Sequence, residues 1–365
     1  MRVLMLVLLM LPAFTMPAYA GEIYEQAADE TGIYAVEEQL PEEAREISGS
    51  LKVDGSYDTE NALERLWKSF ADKLRGELGE AVKTACSLIA ISMLCALSGS
   101  LCSGKPIKEY INIAGCCAAA VSLLGNVDSI VEQTVAALNQ LSDYSKAALP
   151  AIFTAAATCG AVGSASAKYA ATCLALDVLM SASQKLVIPL VYSYLALAVA
   201  GSVFPNSLLS NTAKLTKWMA GIIMTGMTIA FSAYIGMTGL VTGSIDAAAL
   251  KTARTVISTG LPVVGGIISD ASGAVLSAAS VIKNSAGVFG LIGVCAMCAG
   301  PFALLSVRML VLKAAAAASD MAPNSRLSGL IASVSTAMGL LLGLLGCCGI
   351  MLFISITAGI KAVSL

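Results

Sequence analysis

Apolar residues dominate the chain after residue 80 and gather into runs near the length of ~20 residues that carries an α-helix across a hydrocarbon core. The runs predict membrane helices over Val82–Leu101, Tyr110–Val127, Leu149–Ala167, Tyr169–Ser183, Leu186–Phe204, Trp218–Thr242, Ser285–Ser306 and Leu327–Ile360. Tyr169–Ser183 is short and carries Asp177. Leu327–Ile360 is long for one span and reads either as a tilted helix or as a pair broken around Gly346-Cys347-Cys348-Gly349. The pattern predicts an all-α, polytopic helical membrane protein with about seven or eight spans. Between spans, Ser129–Lys146 sets Ile130, Val131, Val135, Leu138 and Leu141 among polar residues, which predicts a helix lying in the interface.

Before residue 81 the pattern changes. Glu60–Glu80 places Leu63, Leu66, Trp67, Phe70, Leu74 and Leu78 on one helical face. That face either seats the helix on the membrane surface or packs it on the protein's own loops. Residues 21–59 show no such period, are broken by Pro41, Gly49 and Gly55, and suit a segment that orders on binding a partner. At the start, Arg2 precedes the apolar run Val3–Leu11, and Ala18-Tyr19-Ala20 supplies the small residues a signal peptidase reads. Residues 1–20 are expected to be a secretory signal peptide cleaved before Gly21, or else an uncleaved anchor. Both readings start residue 21 outside the cytoplasm.

Charge sharpens this division. Residues 21–80 hold sixteen acidic and six basic side chains, a balance of −10, whereas 81–365 balance at +7. The chain thus divides into a signal peptide (1–20), an acidic extracytoplasmic segment with a helix (21–80) and a helical transmembrane domain (81–365). Counting spans inward from residue 81 puts Lys105, Lys108, Lys168, Lys214, Lys217, Arg308, Lys313 and Arg326 in the cytoplasm, as the positive-inside rule asks. Lys185, Lys251 and Arg254 dissent.

Composition agrees: 57% of residues are hydrophobic, 13% are charged and mean hydropathy is +0.81, against about 25% charged in a soluble domain. The apolar runs are long and Ala/Leu-rich, unlike the period-2 segments of a membrane β-barrel. There is no histidine, which removes His-based triads, His metal sites and imidazole proton shuttles. The eleven cysteines all lie in or beside apolar segments and read as small packing residues. Cys295-x-x-Cys298 has metal spacing but no second ligand pair. Without clustered carboxylates or a nucleotide-binding loop, the sequence predicts no enzyme, metal or cofactor, and its one large charge block is acidic, which argues against nucleic acid. Gly239-x-x-x-Gly243 and Gly339-x-x-x-Gly343 allow close helix approach in a compact bundle or a homo-oligomer.

The least conventional apolar stretch is Leu261–Gly290, which carries Asp270, Lys283 and Asn284. Ionisable groups among membrane-embedded apolar residues are costly and mark functional or assembly positions. Pro262 and Gly265-Gly266 begin or break a helix. Asp270, Gly273, Ser277, Ser280 and Asn284 then follow at spacings that share one helical face, with Lys283 beside them. This predicts a re-entrant or interface element over 261–284. Its polar stripe either lines an aqueous path or packs against a neighbouring helix or partner. A second stripe, Asp177, Ser181 and Lys185, reads as a structural pair or a loop rather than a proton relay.

The chain resembles the stage III sporulation protein AE family of endospore-forming bacteria. The resemblance rests on the leader, the acidic segment, the polytopic remainder and above all Pro262-Val263-Val264-Gly265, Ser269-Asp270-Ala271, Lys283-Asn284 and Gly287. It implies a subunit of the channel-like, secretion-like complex in the mother-cell membrane around the forespore, needed for late forespore development. The implied partners are other stage III sporulation membrane proteins, a cytoplasmic ATPase and ring-forming extracytoplasmic subunits. It implies no catalytic residues. The alternative is an autonomous secondary transporter.

Overall fold

The structure, a computed structural model, describes residues 38, 40–49, 58–102, 104–158, 162–204, 206–260, 265–321 and 325–361, with the side chains of 105, 124, 155–170, 238–286, 360 and 361 outside that description. Among the described residues all regular structure is helical. The helices are α1 Glu42–Ser48, α2 Thr59–Leu101, α3 Lys105–Thr158, α4 Val162–Ala182, a π-helical turn Ser183–Val187, α5 Ile188–Val203, α6 Ser207–Gly260, α7 Gly265–Asp320 and α8 Ser325–Lys361. Six stretches among the described residues are long and apolar enough to cross a membrane: Thr59–Leu101, Pro106–Thr154, Ala171–Val203, Ser207–Met237, Gly287–Asp320 and Arg326–Gly359. The all-α polytopic architecture is the one expected. The leader, residues 1–20, lies outside the described residues.

The expected segments are joined differently. Ser129–Lys146 is no separate interfacial helix but the middle of α3, because Ile130, Val131, Leu138, Leu141 and Tyr144 are buried in the bundle. Glu60–Glu80 is likewise the first half of α2, started by Asp58, whose side chain accepts the Asn61 N–H at 3.2 Å. Leu66 packs against the core, while Trp67 and Leu78 stay exposed. Leu149–Ala167 is not one span, since α3 ends at Thr158 and α4 starts at Val162. Tyr169–Ser183 and Leu186–Phe204 run together through the π-turn, which adds a residue without ending the helix. α8 passes unbroken through Gly346–Gly349.

The helices are long. α3 and α7 have 54 and 56 residues, about 80 Å each at 1.5 Å per residue, against a hydrocarbon core roughly 30 Å thick. α8 is the centre of the bundle. Leu327, Leu330, Ile331, Val334, Ala337, Met338, Leu341, Leu344, Leu345, Cys348, Met351, Leu352 and Ile356 are all essentially inaccessible. Their steps of three and four trace one broad face of the helix. α7, α3, α6 and α5 all pack on it, and α7 also packs on α2.

Small residues set the close approaches. Gly339 faces Met309 of α7 and Gly343 faces Met224 of α6, so this Gly-x-x-x-Gly pair serves two different neighbours. Gly293 lies where α7 passes Leu40 and Tyr144, and a methyl group there would come within 2.9 Å of both. Gly221 of α6 has nothing within 4 Å of that position. The same substitution should therefore act oppositely at the two sites. Gly293→Ala should destabilise the detergent-solubilised protein by about 1–3 kcal/mol through overpacking. Gly221→Ala should stabilise it by up to about 1 kcal/mol through helix propensity. Thermal unfolding of the two variants checks the signs.

Candidate functional site

The most developed concave site is a cleft of about 710 Å³ formed by four helices. α1 contributes Glu42 and Glu43, α2 contributes Lys73, Gly76 and Glu77, α3 contributes Gln133 and Gln140, and α7 contributes Met297, Gly300 and Pro301. The periodicity of α2 builds it: Ala62, Leu66, Lys73, Glu77 and Ala81 recur on the inward side, so the apolar stripe gives way to a charged one over two turns.

α1 is too short to hold itself and is pinned in place. Leu40, Ala44 and Ile47 are buried beneath it. At its end Gly49 adopts a positive φ of 74° and returns its N–H to the Arg45 carbonyl at 2.8 Å, a conformation glycine adopts without strain. Arg65 of α2 then donates to the Ile47 and Ser48 carbonyls at 3.1 and 3.4 Å, caring for carbonyls the helix leaves free. Lys73 pairs with Glu43 at 2.5 Å.

On the α7 side, a side-chain carbon at Gly300 would sit 3.0 Å from the Lys73 Nζ, so the missing side chain gives the lysine its place. Pro301, also in the cleft wall, has no N–H to give to the Met297 carbonyl within its helix. The cleft thus presents carboxylates, two amides and one ammonium. Such a set recognises a polar or basic chain segment by hydrogen bonds and charge. Among the described residues no group of three or more His, Cys, Asp or Glu is placed to hold a metal ion.

Below the cleft, Arg308 of α7 reaches Glu77 at 3.5 Å and Glu80 at 3.2 Å. Its side chain is 12% exposed, and its Nε has no hydrogen-bond partner among the described residues. Toward the α2–α3 turn, Arg326 of α8 grips Glu109 of α3 with both nitrogens, at 2.7 and 3.2 Å, the planar fork that arginine makes with a carboxylate. Ser328 donates to Asp320 at 2.9 Å across the α7–α8 connection.

The residues singled out in the sequence sit elsewhere. Pro262 lies outside the described residues. α7 begins at Gly265 and is continuous through Asp320, so Gly265, Asp270, Gly273, Ser277, Ser280, Lys283 and Asn284 occupy its first turns; their side chains lie outside the described residues. Asp177 is within 3.8 Å of Lys146 on α3, a partner that its spacing to Lys185 does not suggest, and both side chains are largely exposed. The described cysteines are not uniformly packing residues: Cys116 and Cys348 are buried, but Cys86 and Cys117 are exposed. Sequence reasoning passed over Lys73 and Glu77, and it counted Arg308 with the cytoplasmic residues, whereas Arg308 lies beside Glu77 and Glu80 of the segment expected outside, so those two placements do not hold together. The available signal was two charges at inward positions of the α2 period.

Removing Arg308 strands the half-buried Glu77, so Arg308→Ala should lower stability by roughly 2–3 kcal/mol. Glu80→Gln, at the exposed end of the pair, should cost under about 1 kcal/mol. Chemical unfolding in detergent tests that order.

No curated protein and no solved structure matches the chain. The family model of stage III sporulation protein AE matches residues 51–362, a span that takes in α2 through α8 and the Pro262–Gly287 pattern. The chain therefore belongs to the stage III sporulation protein AE family.

Proposed function

We propose that this protein is a polytopic membrane subunit of the channel-like complex joining mother cell and forespore, and that it acts by assembly rather than catalysis. Family membership makes it a sporulation membrane protein. The observation that carries the finer reading is the α1–α2–α3–α7 cleft, in which α1 and the first half of α2 belong to the acidic segment before residue 81. In this reading the segment lies outside the cytoplasm, and the cleft receives a polar segment of a ring-forming extracytoplasmic subunit. The opposite end, with Lys105, Lys108 and the Arg326–Glu109 clamp, faces the cytoplasm and the ATPase.

The bundle supports this division of labour. Three ion pairs, Glu43–Lys73, Glu80–Arg308 and Glu109–Arg326, tie α1 to α2, α2 to α7 and α3 to α8. A deletion strain should complete engulfment and then arrest, with ordinary vegetative growth; an undiminished spore yield would overturn the proposal. A photoreactive residue replacing Glu43 should crosslink to a ring-forming subunit in sporulating cells. Crosslinking only to lipid would remove the cleft from the proposal.

A further inference from the structure

We infer that the groove between α3 and α5 receives an apolar helix of another membrane protein, and that one basic side chain of that helix pairs with Asp128. This surface is separate from the α1–α2–α3–α7 cleft and does not depend on what that cleft binds.

The first observation is shape. The groove has a volume of about 460 Å³ and is walled by two helices. α3 places Asp128 in it, and α5 supplies most of the rest. Ala196, Val199, Ala200 and Val203 share one face of α5. No side chain on that face is larger than valine, so the backbone of another helix can come close. Leu195 is buried behind it, while Phe204, at the far end, is 66% exposed. From Tyr192 to Phe204 the wall rises about 18 Å, just over three helical turns.

The second observation is charge. Other carboxylates of α3 have cations: Glu109 has Arg326, and Asp143 has Lys146. Asp128 and Glu132 take part in no ion pair among the described residues. Asp128 instead accepts a hydrogen bond from the Tyr192 hydroxyl across the groove, and the Glu132 charge, one turn along α3, acts on the same hydroxyl. That hydroxyl holds the carboxylate in place without neutralising it. The groove is therefore apolar along its length and doubly negative beside Tyr192.

The occupant has to satisfy both halves. An acyl chain would cover the apolar wall but leave both carboxylates unpaired, and they would repel its phosphate. A free cation would pair the carboxylates and leave the wall bare. An apolar helix with a lysine or arginine does both. Its side chains lie over the small face of α5, and its basic group meets Asp128 where Glu132 adds to the attraction.

The test uses the full chain in sporulating cells. A photoreactive phenylalanine analogue replaces Phe204, and the crosslinked peptide is sequenced by mass spectrometry. The expected peptide comes from another protein and is an apolar segment of at least about 12 residues, enough to cover the wall, with a lysine or arginine. Asp128→Asn should lower the crosslink yield per molecule of protein by at least about fivefold, and Ala200→Trp, which fills the groove, should do the same. Asp143→Asn, whose carboxylate already has Lys146, should leave the yield unchanged. Asp128→Lys combined with aspartate in place of the partner's base should restore the yield, a rescue that misfolding would not permit. Crosslinks to lipid alone, to a second copy of this chain or to a segment without a basic residue would overturn the inference. So would a yield that Asp128→Asn leaves unchanged or that the charge swap does not restore. Failure of Glu43 to crosslink to a ring-forming subunit would instead remove the cleft reading and leave this groove standing.

Discussion

The packing of α8 against α7, α3, α6 and α5 is the constraint from which the rest of the bundle follows. In lipid the hydrophobic effect does little to bring helices together, so shape must do it. α8 meets that demand with inaccessible Leu, Ile and Met side chains from Leu327 to Ile356 and with glycines at each close approach. Gly339 admits Met309, Gly346 admits Phe302 and Gly349 admits the Cys298 sulfur. With α8 fixed, α7 is held against its flank, and α3, α5 and α6 take the remaining sides.

Polar contacts then set register rather than supplying bulk stability. Ser335 donates to the Met309 carbonyl at 2.8 Å and fixes α8 along α7. Arg308 fixes α7 along α2, and Arg326 fixes α8 along α3. Arg308 and Arg326 link helices more than 200 residues apart, and Ser335 links two consecutive ones. Large apolar side chains are left outward on several helices, among them Leu94 of α2, Leu174 of α4 and Trp218 of α6.

Much of this was legible from residue patterns. The apolar runs gave the helical class, and the 3–4 period of Ile130, Val131, Leu138 and Leu141 correctly marked a helix over 129–146. Its setting was misread because an amphipathic stripe has the same period whether it meets a membrane surface or a neighbouring helix. The same ambiguity separated Glu60–Glu80 from the span it leads into. The cleft could not be foreseen, because Glu43, Lys73, Gln133 and Gly300 come together only through tertiary packing. The Pro262–Gly287 pattern pointed to the family without describing a site, since its spacing states a helix face and not what that face meets.

The order of the helices has a consequence for biosynthesis. Chains emerge from the ribosome N-terminus first, and α8, the helix around which the others gather, is made after all of those it touches. Glu77 and Glu80 enter the bilayer's vicinity more than 200 residues before Arg308 exists. Until α7 and α8 arrive, the earlier helices surround an unfilled axis and carry unneutralised carboxylates. Assembly of the bundle is therefore a closing event at the end of translation, and the nascent protein must be held together in the membrane while it waits.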